Sequence, residues 1–211
     1  MAAIVEERAV KSKDRVKAYG EVFTPRHMVD QMLDLVSEEL EFGPDFVDKT
    51  FLEPSAGDGN FLVRILQRKL AAIGTRLPAE QWRQESLFAL ASIYGIELLE
   101  DNHAEAKAAM LEVFVEWHAG HGGAAGVGTD LGRAAAFLID TNIIRGNTLT
   151  GLTPAGEEIQ FSWWHRGSDN LVTREPFTFS SLRGGGGMFD FTVYESYAPC
   201  AIDEVHQEAR A

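Results

Sequence analysis

The chain has 211 residues, 45% of them hydrophobic and 24% charged, enough to bury the core of one compact domain. That balance excludes wholesale disorder, collagen and coiled coil. Nineteen Lys and Arg against thirty-two Asp and Glu give a formal net charge of −13, the wrong sign for a protein whose whole surface grips phosphate backbones, so any nucleic acid has to meet a local basic patch. The single cysteine, Cys200, excludes an intramolecular disulfide framework and a Cys-rich zinc ribbon. The N-terminus lacks the pattern of a signal peptide, and no apolar run approaches the ~20 residues that cross a bilayer. The expectation is a cytoplasmic protein with no membrane partner.

Residues 1–19 mix acidic and basic side chains and read as a flexible N-terminal arm, more a solvated face than a phosphate contact. Thr24 followed by Pro25 predicts an N-cap and first helical residue. Met28, Val29, Met32, Leu33, Val36 and Leu40 then recur at helical spacing, so residues 26–40 read as an amphipathic helix that Gly43 and Pro44 stop. Thr50 to Glu53 is a short strand and Pro54 to Asn60 a tight loop rich in turn formers. A helix follows from Phe61, then a second from Ala79 to Ala91 after Gly74 and Pro78. Ser92 to Glu97 is the second strand, Leu98 to Trp117 a helix, Gly120 to Gly128 a flexible loop, and Asn142 to Gly146 the third strand.

Strands alternating with helices predict an α/β fold built on a mostly parallel sheet flanked by helices. Beyond residue 150 the pattern becomes aromatic and irregular. Glu158 to Trp164, Phe177 to Phe179 and Phe189 to Tyr194 are short extended runs, with no convincing helix before Ile202. Trp163 and Trp164 are adjacent, so in a strand they face opposite sides, one toward the core.

The chemistry concentrates in Glu53-Pro54-Ser55-Ala56-Gly57-Asp58-Gly59-Asn60-Phe61. An acid at a strand end, a glycine turn and a helix N-terminus make a crevice where backbone N–H groups approach a small ligand. The third glycine of a dinucleotide fingerprint is replaced by Leu62, and no Gly-Lys-Ser or Gly-Lys-Thr exists for a nucleoside triphosphate. Glu53 repels a pyrophosphate and suits a ligand carrying an ammonium group. His118 and His121 have no third ligand nearby, and neither Ser55 nor Ser181 has an evident base and orienting acid.

With these residues in this order, the stretch from Tyr19 to about Leu149 resembles the S-adenosylmethionine-dependent amino DNA methyltransferases that modify adenine N6, including modification subunits of restriction systems. The resemblance implies a class I methyltransferase-like (Rossmann-like) sheet, shortened at the C-terminus, in a single domain spanning residues 20–211. It implies that Thr24, in Gly20-Glu21-Val22-Phe23-Thr24-Pro25, lies beside the methionine carboxylate. Glu53 would face the methionyl ammonium, and Pro54, Ser55, Ala56, Gly57, Asp58, Gly59, Asn60 and Phe61 would form the loop passing under the cofactor. Glu97 would accept the ribose hydroxyls, Leu98 would flank the adenine, and Asn147 would accept from the adenine N6 amine.

The chain departs from the family in one respect. An Asn or Asp-Pro-Pro-aromatic turn after the fourth strand holds the target amine there, and this sequence contains no Pro-Pro pair. Its nearest stretch is Phe189 to Pro199, where Tyr194 and Tyr197 could stack a base and Glu195 accept from an amine. The expectations are therefore three: a DNA methyltransferase or its cofactor-binding subunit, with another chain selecting the target; a catalytically inactive S-adenosylmethionine-binding module of a restriction-modification system; or a methyltransferase for a small molecule or protein.

Overall fold

A computed structural model describes residues 10–167, 171–183 and 197–207. Three short strands, β1 (Phe51–Glu53), β2 (Ile93–Glu97) and β3 (Ile143–Arg145), form a parallel sheet in that order. All five residues of β2 are buried, as a central strand covered on both faces requires. Helices α1 (Lys13–Tyr19) and α2 (Arg26–Asp34) precede the sheet. The crossovers are helix pairs, α3 (Asn60–Arg76) with α4 (Trp82–Ala91), then α5 (Glu100–Gly120) with α6 (Asp130–Asn142). The fold is mixed α/β.

The two faces of the parallel sheet have different covers. Gly95 of β2 faces α3, where a Cβ would stand 3.0 Å from Leu62 Cδ1, so the missing side chain is what lets helix and strand approach. Tyr94 points to the other face by the pleat. Its hydroxyl donates to the Ser162 carbonyl at 2.8 Å, and its ring meets Phe161 edge-on at 5.5 Å. Ser162 and Phe161 belong to an antiparallel sheet of β4 (Gln160–Arg166), β5 (Leu171–Thr178) and β6 (Cys200–Ala201), with a short α7 (Phe179–Arg183) after β5. Trp164 is buried and donates its indole N–H to Asn142 at 3.0 Å, whereas Trp163 is half-buried, as the alternation predicts. The part beyond residue 150 is thus more regular than its sequence suggests, because cross-strand pairing supplies order that no single segment shows. Phe189 to Glu195 lies outside the described residues.

One core residue is charged. Lys69 of α3 is fully buried, and its ammonium donates to the carbonyls of Val47 and Lys49 and to Ser92 Oγ, at 2.9, 2.7 and 2.7 Å. Three acceptors match its three protons and pin the chain entering β1 against the end of α4. Burial pushes its pKa down to about 7.

Several elements differ from expectation. Residues 13–19 are a helix rather than a loose arm, with Ser12 Oγ capping it by accepting from Arg15 N–H. Pro25 occupies the N-cap of α2, so Thr24 lies one residue outside the helix and caps nothing. The expected helix over 26–40 breaks after Asp34 and resumes as a wide turn, Glu38–Phe42, that Gly43 closes. Val29 and Leu33 of α2 and Leu40 beyond the break are buried, whereas Met28 and Met32, on the adjoining face of α2, are exposed. The helix α6 was hidden behind the Gly-rich loop. Its signals are Thr129, which caps it by accepting from Gly132 N–H, and a stripe of Leu131, Ala134, Ala135, Leu138 and Ile139.

Candidate ligand pocket

At the carboxyl ends of the parallel strands, where open α/β sheets take their ligands, lies a cavity of about 410 Å³, within the range of small-molecule sites. Four stretches distant in sequence line it: Thr24; Pro54, Ser55, Ala56, Gly57, Asp58, Asn60 and Phe61; Glu97 and Leu98; and Asn147. Of the residues singled out in the sequence, Glu53 and Gly59 are outside the lining.

The floor is set by backbone conformation. Gly57 and Gly59 have φ of +58° and +99°, in the left-handed region that only glycine enters cheaply. The Gly57 N–H donates to Glu97 Oε2 at 2.7 Å and the Ala56 N–H to the Ile96 carbonyl at 2.9 Å, stitching the loop to the end of β2. Glu97 also accepts from the Leu99 N–H at 2.9 Å and the Asn102 amide at 3.5 Å, both at Oε1. Its Oε2 therefore keeps a lone pair for a ligand hydroxyl.

Gly59 has a packing task. A Cβ there would lie 2.9 Å from Ala106 Cα, so the residue lets the start of α3 press on α5. The Glu53 carboxylate turns back to accept from the Ser55 N–H at 3.0 Å, and burial raises its pKa. It is absent from the cavity lining. Asp58 does line the cavity. Its Oδ1 is buried with no partner among the described residues, and burial raises its pKa, opposed by Lys11 and the Asn60 N–H.

Asn147, in the lining, also ties down its own turn. Its Oδ1 accepts from the N–H groups of Leu149 and Thr150, at 2.9 and 3.3 Å, an Asx-type turn. Both lone pairs of that oxygen are engaged by backbone N–H groups. Sequence reasoning missed Tyr19, Glu21, Val22 and Phe23, which form one wall, and Asn102, Thr148 and Leu149 on the others. The Phe23 ring packs over Gly57, where a Cβ would stand 3.3 Å from it. Leu98 and Leu149 are exposed and provide apolar surface at the mouth.

The described lining carries three carboxylates, Glu21, Asp58 and Glu97, and no Lys, Arg or His. Glu21 is paired with Arg15, which lies outside the lining, so the charge that favours a cationic ligand and opposes a phosphate chain is that of Asp58 and Glu97. Elsewhere, Tyr197 lies beneath the Arg174 guanidinium at 4.5 Å and not in this cavity. His118 is buried against Ser86 Oγ at 2.9 Å, and the described residues contain no cluster of three potential metal ligands. No protein-family model, curated protein or solved structure matches the chain.

Proposed function

We propose that this pocket binds S-adenosylmethionine and that the chain is an S-adenosylmethionine-dependent DNA methyltransferase acting on adenine N6, or the cofactor-binding subunit of one. The observation that carries the reading is a cavity at the sheet's carboxyl edge, built from four distant stretches, with three carboxylates and no basic group. S-adenosylmethionine carries an ammonium and a sulfonium, and the lining suits both charges. Asp58 lines the cavity beside Gly57 and takes the role of holding the ammonium. Glu97 accepts a ribose hydroxyl through its remaining lone pair, and Leu98 and Leu149 flank the base. When bound, the cofactor supplies an electrophilic methyl group.

The second reading is a cofactor-binding module without catalysis, in a restriction-modification assembly. The lack of any Pro-Pro pair in the sequence favours it, since adenine N6 is a poor nucleophile that needs an acceptor and a stacking ring around it.

Calorimetric titration with S-adenosylmethionine, followed by tritiated methyl transfer to unmodified DNA, separates these readings. Binding is expected, weakened about tenfold or more by Asp58→Asn through loss of a charged contact. Transfer to DNA supports the enzyme, whereas binding without transfer, even with partner chains added, supports the module. Absence of binding overturns both.

A further inference from the structure

The floor of the pocket and its N-terminal wall are held by different forces. From Val10 to Val22 no residue is buried, and Phe23 is the first described residue that is. Helix α1 contributes nothing to the core. A seven-residue helix has little stability of its own in water, so something else must hold it.

What holds it is charge. Arg15 clamps Glu21 through Nε and Nη2, at 2.6 and 2.7 Å, and Asp101 through Nη1 and Nη2, at 2.7 and 3.0 Å. It also reaches Asn102 Oδ1 at 3.3 Å. Lys11 binds Asp101 and Glu105 at 3.1 and 2.6 Å. Asp101, Asn102 and Glu105 all lie near the start of α5, which follows directly from Glu97. The Asn102 amide donates to Glu21 at 2.7 Å and approaches Glu97 at 3.5 Å, so the clasp meets the carboxylate of the pocket floor.

Between clasp and anchor lies a natural pivot. Gly20 ends α1 at φ +68°, and the space a Cβ would occupy has nothing within 4 Å. The residues on either side of it, Tyr19, Glu21 and Val22, line the pocket, and Tyr19 and Val22 are exposed.

We infer that residues 10–22 form a charge-latched flap over the pocket, hinged between Gly20 and Phe23, so that ionic strength gates ligand entry and exit. The gating half of the inference rests on the ligand reading above; the flap itself does not. Salt is the natural key, because the screening length falls from ~10 Å at 0.1 M to ~3 Å at 1 M, while the backbone geometry of the floor is indifferent to it.

Amide hydrogen exchange on the full chain tests the flap without any ligand. Moving from about 0.1 M to about 1 M sodium chloride, residues 13–22 are expected to exchange about tenfold faster, with α3 and β2 unchanged. Arg15→Met should do the same at low salt and remove most of the salt response. Unchanged exchange over 13–22 in both experiments overturns the flap. So does loss of protection in α3 and β2 alongside it, since the ion network would then be holding up the fold. Gating is read with S-adenosylmethionine as probe: its dissociation should be severalfold faster at high salt in the natural protein and nearly salt-independent in Arg15→Met. A dissociation rate that ignores salt while the flap opens overturns the gate. If S-adenosylmethionine does not bind, the ligand reading fails and the exchange data still decide the flap.

Discussion

The floor of the pocket and its N-terminal wall touch the same space but obey different physics. Residues 54–60 are shaped by two positive-φ glycines, by backbone N–H groups donated to Glu97 and to the Ile96 carbonyl, and by the contact of Gly59 with Ala106. No residue from 10 to 22 is buried as a whole, and the segment hangs on the rest of the chain through the pairs of Arg15 and Lys11 with Asp101 and of Lys11 with Glu105. Conformation and packing make a surface that is costly to deform. Ion pairs between partly exposed side chains, such as Lys11 with Glu105 and Arg15 with Asp101, make one that yields to screening. A pocket assembled from both can be rigid where a ligand is recognised and loose where it enters.

The sharpest way to break this contrast is at Gly59. Valine there brings a Cβ within 2.9 Å of the Ala106 backbone, and φ of +99° is closed to a branched residue, so the α3–α5 contact must open. A loss of about 4 kcal/mol or more is expected from strain and overpacking combined, read as a lowered denaturation midpoint. A midpoint unchanged from the natural protein would mean that the floor is less rigid than its geometry implies.

A smaller effect is expected at Glu97. Alanine leaves the N–H groups of Gly57 and Leu99 without their acceptor, at about 1–3 kcal/mol for each buried group left unmade. Glutamine keeps one oxygen acceptor and should lose roughly half as much. Denaturant unfolding of both variants checks the ratio. Equal losses would indicate that the negative charge, and not the pinning of two backbone amides, is what the floor uses.

Legibility followed the range of the interactions. The strand at Phe51–Glu53, the glycine loop and the helix from Asn60 were readable because turn formers and helical spacing act over a few residues, and β2 and β3 were readable as short β-branched runs. The convergence of Thr24, the loop, Glu97 and Asn147 on one cavity followed from the carboxyl ends of parallel strands lying together. What the sequence hid was long-range or rotational. Arg15 and Asp101 are 86 positions apart, so the ordering of α1 has no local sign. The family resemblance gives Glu53 and Asn147 their expected roles, and it is silent on the backbone N–H that an oxygen of each accepts, a contact that side-chain rotation decides. The exposure of Met28 and Met32 reflects which face of α2 packs, that of Val29 and Leu33, and spacing alone does not announce it.

Acid should pull floor and wall apart in opposite directions. The Arg15 guanidinium holds Glu21 below its ordinary value of 4.5 and Asp101 well below the usual carboxylate range. Burial raises Glu53 and Asp58 above their ordinary values of 4.5 and 3.8. A depressed acid contributes stability above its unfolded pKa and loses it as pH falls through the folded one; a raised acid is protonated more readily in the folded state, which gains as pH falls. Above about pH 4.5 the wall is therefore intact, and Glu53 and Asp58 take up protons at higher pH than in the unfolded chain, at no cost to the fold. Below about 4.5, Glu21 and then Asp101 are progressively neutralised and the clasp on Arg15 weakens first. Hydrogen exchange corrected for its intrinsic pH dependence should show residues 13–22 losing protection before residues 54–60. Simultaneous loss in the two segments would mean that wall and floor open as one unit, and that their separate chemistry has no separate consequence.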